Sequence, residues 1–144
     1  MKIKSIATLG KDLHPKTQEV LITRDFELPL DKVFTVYGIS IWKEVLHYLI
    51  VEDDESPFWF PAELFIVEDT LLPQTMHCKY FGPRDKRGVN LLLGYKEMVL
   101  NDQHYVDLIE CKPEALELFR KRKNEIDEMY SNTNGEPNSQ TLMP

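Results

Sequence analysis

One segment of this 144-residue chain, residues 26–69, constrains the fold most, because it holds both tryptophans and most of the aromatic residues. Within it, an almost continuous apolar run extends from Val45 to Val51 and is broken by His47, while Lys32 to Ile41 alternates in places. Runs of this length rich in Val, Ile, Tyr and Phe predict strands rather than helices. The acidic cluster from Glu52 to Pro57 then predicts a hairpin turn.

The rest of this segment continues the pattern of short elements. Ser40 to Glu44 is predicted to connect two strands and carries Trp42, and the strand resumes after the acidic turn at Phe58–Phe60. Pro61 ends that strand because it has no N–H to donate, and Ala62–Phe65 is short enough for a single helical turn. Short strands, tight turns and a single-turn helix are typical of a small, strongly bent β-barrel.

Further strands are predicted on both sides of this segment, at residues 2–9, 18–22, 76–81 and 89–95. Residues 10–17 are predicted to form a loop. Gly94 is interpreted as a possible bulge near the end of its strand, and Lys96 to Leu100 as a continuation of it.

Two helices are predicted to follow. Asn101 or Asp102 can cap a short helix over residues 103–110, and Pro113 suits the first position of a second helix that runs to about Ser131. The residues expected to face inward recur at helical spacing: Tyr105, Leu108, Ile109, Ala115, Leu116, Phe119, Ile126, Met129 and Tyr130.

These elements predict an α+β fold in one globular domain, residues 1–131. Its β-rich part covers residues 1–100 and its helical part residues 101–131. Residues 132–144 are polar and contain two prolines and one glycine, so they predict a disordered tail. No apolar run is long enough for a membrane span, and the N-terminus lacks the apolar core of a secretory signal, so we expect a cytoplasmic protein.

The charge of the chain is uneven. The net charge is −7, and residues 26–69 alone hold ten acidic and two basic residues. An acidic surface repels nucleic acid, whose phosphates need a basic footprint, and attracts a basic protein. The composition therefore favours a protein partner over a nucleic acid.

Motifs of known chemistry are missing from the sequence. It contains no P-loop, no Rossmann glycine pattern, no G-x-S-x-G and no C-x-x-C. The carboxylates of Glu52–Glu55 lack the spacing of an EF-hand, so neither a metal nor another cofactor is expected. The sequence thus favours a protein that is not an enzyme, although catalysis by His47 or His104 with a nearby carboxylate stays open.

Two cysteines, Cys78 and Cys111, lie far apart in the sequence. Packing as small apolar side chains is the favoured interpretation, and a disulfide between them stays open.

Aromatic residues beside the acidic turn indicate a recognition surface. Phe58 and Phe60 must point to the opposite face of their strand from Trp59, so these side chains cannot all face one core. Rigid aromatic side chains supply contact energy and carboxylates supply electrostatic steering. The predicted partner-binding residues are Trp42, Glu52, Asp53, Asp54, Glu55, Phe58, Phe60 and Glu63. A second interpretation, in which the C-terminal helix covers the aromatic residues, stays open.

The stretch from Lys32 to Asp69 resembles an SH3-like barrel. The resemblance is carried by a V-Y-G strand, an acidic hairpin turn and the motif W-F-P-A-E-L-F at residues 59–65. The A-L-Y-D-Y element of eukaryotic SH3 domains is absent. The resemblance implies a strongly bent antiparallel sheet, here followed by one or two C-terminal helices.

The whole chain, small and acidic with a β segment, closing helices and a polar tail, also resembles bacterial immunity proteins of contact-dependent and related polymorphic toxin systems. This resemblance implies a non-enzymatic inhibitor that binds and neutralises a cognate toxin, often a basic nuclease. The alternative hypothesis is an SH3-like module associated with nucleic acid, which would use the basic residues of loop 84–87 and of the run 120–123. The oligomeric state stays open.

Overall fold

The computed structural model describes residues 1–6, 13, 27–52 and 56–135, with side chains up to residue 132. Its strands are β1 Lys2–Ser5, β2 Val33–Thr35, β3 Gly38–Trp42, β4 Val45–Val51, β5 Pro57–Pro61, β6 Phe65–Asp69, β7 His77–Tyr80 and β8 Val89–Gly94. A 3-10 turn, Ala62–Leu64, separates β5 from β6. The helices are α1 Lys96–Leu100, α2 Asp102–Ile109 and α3 Pro113–Gly135.

The described strands form two antiparallel sheets. The small sheet has the order β2-β1-β6 and the large sheet the order β5-β4-β3-β8-β7. The chain passes from the small to the large sheet between Thr35 and Gly38, and it returns through the 3-10 turn. The structure confirms the α+β class, the antiparallel sheets and the C-terminal helices. The described strands do not, however, close into one barrel.

Strand β4 shows how the layers are arranged. Leu49 points to the face of the large sheet that the helices cover, and it packs in a cluster with residues of all three helices. Tyr48 and Ile50 point to the opposite face and pack against the small sheet. Because both faces of this strand are buried, its sequence is a nearly continuous apolar run.

Two glycines allow α1 to lie against the large sheet. Gly38 and Gly94 are directly opposite each other in β3 and β8. A Cβ atom added to Gly38 or Gly94 would lie 2.7 or 2.0 Å from the Cε atom of Met98, whose side chain is buried above them. Gly94 therefore makes room for a side chain and is not a bulge. The register of β3 and β8 shifts instead at Asn90, which is skipped between the pairs Ile41–Leu91 and Trp42–Val89.

Helix α1 corrects a second prediction for this region. Residues 96–100 do not continue the strand but form a helical turn, which buries Met98 and Val99. The next helix begins as predicted, because the Asn101 side chain accepts hydrogen bonds from the N–H groups of Gln103 and His104. Ile109 was predicted to face inward and is instead 52% exposed, because α2 ends at this residue.

Helix α3 follows its predicted pattern. Ala115, Phe119, Ile126 and Tyr130 are buried, and Leu116 and Met129 pack partly against the same cluster. The helix continues to Gly135, beyond the predicted end at Ser131. Residues 136–144 of the predicted tail lie outside the described part of the chain.

Polar contacts attach α3 to the rest of the molecule. The Tyr37 hydroxyl donates to Asp127 Oδ1 at 2.7 Å. Arg122 donates to both carboxylate oxygens of Glu97 in α1, from Nε at 2.9 Å and from Nη2 at 2.6 Å. Lys123 pairs with Asp127 at 2.8 Å, so part of the basic run 120–123 is salt-bridged, as expected from the neighbouring acids.

Three further predictions concern loops and cysteines. The connection predicted over Ser40–Glu44 is shorter, since β3 extends to Trp42 and only Lys43 and Glu44 form the turn, both with positive φ. Cys78 and Cys111 are free thiols, and Cys78 is exposed rather than packed in a core. The strand and loop predicted within residues 10–22 fall almost wholly outside the described residues.

None of the helices described is long and apolar enough to cross a membrane.

We predict that Gly94→Ala lowers the free energy of unfolding by about 1–3 kcal/mol, because the new methyl group collides with Met98. The additional Met98→Ala substitution removes the collision. The double variant should therefore lose less stability than the sum of the two single variants, as measured by urea denaturation. Additive losses would show that Met98 is not the neighbour that Gly94 accommodates.

We also predict that Glu97→Gln lowers the free energy of unfolding by about 1 kcal/mol at pH 7, a modest value because the pair is partly exposed. The hydrogen bonds from Arg122 hold the pKa of Glu97 at about 2, below its usual 4.5. The stabilisation is thus complete above pH 4.5 and is lost as the pH falls toward 2. Denaturation at several pH values should show the wild type approaching the variant on acidification, with the exposed Glu117→Gln as control.

Candidate functional site

A pocket of about 400 Å³ lies between the helix-covered face of the large sheet and α2. Its lining includes the aromatic residues Trp42, Phe58, Trp59 and Tyr105, of which Phe58 points its side chain to the other face of β5 from Trp59. Its polar lining comes from Ser40, His47, Arg87 and Glu110. A concave site with aromatic walls and a few polar groups is the usual form of a ligand or side-chain binding site.

Trp42 is held in a fixed position at one wall. Its Nε1–H donates to the Arg87 carbonyl at 2.9 Å, and Lys43 Nζ lies 4.5 Å from the centre of its ring. The loop backbone approaches closely at Gly88, where an added Cβ atom would lie 3.1 Å from Trp42 Nε1. Trp42 therefore loses little conformational freedom if a ligand binds against it.

Arg87 is also fixed, by carboxylates on both sides. Its Nε donates to Asp85 Oδ2 at 3.2 Å, and its Nη1 lies 3.4 Å from Asp102 Oδ1. Its guanidinium lies over the rings of Phe81 and Tyr105, 4.7 and 5.3 Å from their centres. Burial acts to raise the pKa of Asp85, but the hydrogen bonds from Arg87 outweigh it and the pKa is lowered. Arg87 is thus a structural cation of the pocket wall.

Ser40 and His47 are directly opposite each other in β3 and β4, on the face that lines the pocket. Ser40 is 1% and His47 4% exposed. His47 Nδ1 lies 2.9 Å from the Val45 carbonyl, which can only accept, so in the neutral ring Nδ1 carries the proton. Among the described residues, neither His47 Nε2 nor the Ser40 hydroxyl has a hydrogen-bond partner.

Burial affects the ionisation of the pocket residues. It lowers the pKa of His47, so the ring is neutral at pH 7 and Nε2 offers a lone pair. It also raises the pKa of Tyr105 to about 12, which keeps this phenol neutral. The Trp42 and His47 rings meet edge to face, with centres 5.8 Å apart. His47 and Tyr105 are therefore neutral at pH 7, and the charged residues of the lining are Arg87 and Glu110.

The structure separates the predicted aromatic binding residues. Trp42 and Phe58 both line the pocket, and Phe58 is 48% exposed on the edge strand β5. Phe60 is 4% exposed and packs between the two sheets with Phe65, at 6.5 Å between ring centres. Phe60 is therefore a core residue and the prediction that it binds a partner is wrong. The small sheet covers Phe60 but does not extend to Phe58.

The predicted acidic binding residues lie in two places. Glu52 follows β4 and is partly exposed, and its backbone carbonyl accepts from Lys32 Nζ at 3.2 Å. Glu63 is exposed on the 3-10 turn. Asp53, Asp54 and Glu55 lie outside the described residues.

The histidine that was an alternative catalytic candidate, His104, is not part of the pocket. Its Nε2 lies 2.6 Å from the Tyr95 hydroxyl, in the cluster beneath the helices. His47 has no carboxylate at Nδ1, because the Val45 carbonyl occupies that position. Among the described residues, no group of three or more His, Cys, Asp or Glu side chains is placed to hold a metal ion.

Ser40, Arg87 and Tyr105 were not among the predicted site residues. A signal for Ser40 was present, because Ser40 and His47 are the polar positions of two otherwise apolar strands. A two-residue turn at Lys43–Glu44 places them opposite each other. This register was not predicted, because the sequence was interpreted as a longer connection.

Comparison with models of known protein families, with curated proteins and with solved structures gives no match.

We predict that the stability of the protein falls as the pH drops below 6.5, in part because of His47. Its pKa is lowered in the folded state, so on acidification the unfolded chain takes up a proton that the folded protein resists. His47→Gln should reduce this loss, although His104, whose pKa is also lowered by burial, still contributes. Denaturation between pH 5 and pH 8 measures the effect. Ser40→Ala, which alters the same pocket without removing a titrating group, should shift stability equally at every pH.

Proposed function

We propose that this chain is a non-enzymatic binding protein that captures and neutralises a basic protein partner in the cytoplasm, in the manner of a toxin immunity protein. The observation that carries the proposal is the pocket, whose lining includes Trp42, Phe58 and Pro57, the first residue of β5, which is the next described strand after the acidic segment of the sequence. Aromatic residues and a pocket provide contact energy, and carboxylates provide attraction for a basic partner.

The strand connections support an SH3-like ancestry for the β part. Strands β2 and β3 follow each other closely and belong to different sheets, and β6 returns after the 3-10 turn to pair with β1. A strand that passes between two sheets and a single-turn helix between successive strands are typical of small, strongly bent barrels. We propose that the two sheets correspond to the two halves of such a barrel.

The charge distribution supports a basic partner. In α3, Arg122 and Lys123 are paired with Glu97, Glu125 and Asp127, so the basic run offers fewer free cations than its sequence suggests. In the loop, Arg87 is paired with Asp85 and Asp102. Glu52, by contrast, forms no salt bridge with the described residues. These pairings favour the protein-binding hypothesis over the nucleic-acid hypothesis.

Capture of the tagged protein from its producing cells, followed by a moderate-salt wash, is expected to retain one basic protein in stoichiometric amount. The partner is then purified and its binding to variants is measured. The double substitution Asp53→Lys and Asp54→Lys should slow association with the partner about tenfold at low salt, with a smaller effect on dissociation. Biolayer interferometry at several salt concentrations measures both rates. Because steering is screened by salt, the difference should shrink as the salt concentration rises.

Matched variants separate local from general effects. The control, Glu117→Lys combined with Glu128→Lys, changes the net charge by the same amount as the Asp53 and Asp54 reversals, at exposed positions of α3. Phe58→Ala is expected to accelerate dissociation about tenfold or more, whereas Tyr80→Ala, at an aromatic residue that is 70% exposed on β7, should not. Equal effects of the two charge reversals, or retention of nucleic acid in place of a basic protein, would refute the proposal.

A further inference from the structure

The deepest polar groups of the pocket are Ser40 and His47, and they are close neighbours. Residues directly opposite in antiparallel strands have Cβ atoms roughly 5 Å apart, so both side chains face the same point of the pocket. No hydrogen bond joins the Ser40 hydroxyl to His47 Nε2, and neither has another partner among the described residues. No buried side-chain nitrogen or oxygen of the described residues lacks a hydrogen-bond partner, so these two atoms are open to the pocket. A ligand that covers them must replace the hydrogen bonds that they make to water.

The two groups have different requirements. His47 Nδ1–H is committed to the Val45 carbonyl, so Nε2 of the neutral ring can only accept a hydrogen bond. The Ser40 hydroxyl can donate, and its proton needs an acceptor. A single atom that satisfies both groups must therefore donate to His47 and accept from Ser40.

The walls of the pocket add a second requirement. Trp42, Trp59 and Tyr105 surround it, and the Trp59 and Tyr105 ring centres are 6.1 Å apart at an angle of 46°. These surfaces favour a planar aromatic ring, which packs edge to face or offset against them. The charged residues of the lining are already paired, Arg87 with Asp85 and Asp102 and Glu110 with Lys112, so the pocket favours a neutral ligand.

We propose that the pocket binds a phenol group, whose hydroxyl donates to His47 Nε2 and accepts from Ser40 while its ring packs against the aromatic walls. A carboxylate lacks the proton that His47 requires. An indole N–H donates but cannot accept from Ser40. An apolar ring leaves both polar groups unsatisfied.

This inference concerns the same pocket as the proposed function and gives it a ligand class, since a protein partner would present the phenol as a tyrosine side chain. It does not depend on that partner, because a free phenol tests it directly. The proposed function is therefore tested by capture of a partner, and the phenol site by small-molecule binding to the full chain alone.

The test is a titration of the full-length protein with p-cresol, 4-methylanisole and toluene, followed by calorimetry and by the tryptophan indole N–H signals in NMR spectra. The three ligands share a methyl-substituted ring, but only p-cresol can both donate and accept. We expect p-cresol to bind at least about tenfold more tightly than 4-methylanisole, the factor that one net hydrogen bond of about 1.4 kcal/mol gives.

Substitutions locate the site. Ser40→Ala should weaken the binding of p-cresol about tenfold and leave toluene binding nearly unchanged, because it removes the donor to the ligand oxygen. His47→Gln should reduce the preference for p-cresol over 4-methylanisole, because it removes the ring nitrogen that accepts the phenol proton. Ser131→Ala, at an exposed serine of α3, is the matched control and should bind p-cresol like the wild type. Circular dichroism shows which variants fold, and Ser40→Ala is a small change that keeps the test valid if His47→Gln does not fold.

The outcomes are distinct. Binding of p-cresol no tighter than that of 4-methylanisole, or unaffected by Ser40→Ala, would overturn the inference, as would no binding of any of the three ligands. N-acetyltyrosinamide separates the two sources of the phenol. If it binds with the same dependence on Ser40, the pocket accepts a tyrosine within a peptide. If only p-cresol binds, the pocket takes a free small phenol, and the phenol site stands without a protein partner.

Discussion

Strand β4 is buried on both faces, and the layers on either side depend on this constraint. Leu49 packs beneath the helices, whereas Tyr48 and Ile50 pack against the small sheet. A strand of this kind needs apolar residues at nearly every position. His47 is the exception, and it lines the pocket between the large sheet and α2. The polar residue that interrupts the apolar run therefore marks the place where a pocket, rather than packed side chains, separates the sheet from the helix.

Elements whose signals are local could be predicted from the sequence. The apolar run of β4, the cap at Asn101 and the first-turn proline Pro113 each determine structure within a few residues, and each element formed as expected. The inward face of α3 was also predictable, because Phe119 and Ile126 repeat at helical spacing and both are buried. In these cases the local preference and the tertiary packing agree.

Features that depend on contacts between distant residues could not be predicted in this way. Gly94 suggests a bulge in its own strand, and only the approach of Met98 explains the missing side chain. Phe58 and Phe60 have the same residue type and point to the same side of β5, yet only Phe60 is covered, because the small sheet ends between them. The turn at Lys43 and Glu44 also lacks the Asn or Gly that usually marks a two-residue hairpin.

The edge beside the pocket is poorly suited to adding another strand. The Leu49 carbonyl accepts from the Tyr37 N–H, so the backbone N–H and C=O of Leu49 face β3. Trp59 lies opposite Leu49 in β5, and this pair is therefore not hydrogen-bonded. The backbone N–H and C=O of Trp59 consequently point away from β4, toward the free edge. Pro57 and Pro61 occupy the alternate positions along the same edge and have no N–H to offer. This edge thus presents a single backbone donor, that of Trp59. Under the proposed function, recognition here depends on side chains that enter the pocket, because backbone pairing along β5 has too few donors to hold a partner strand.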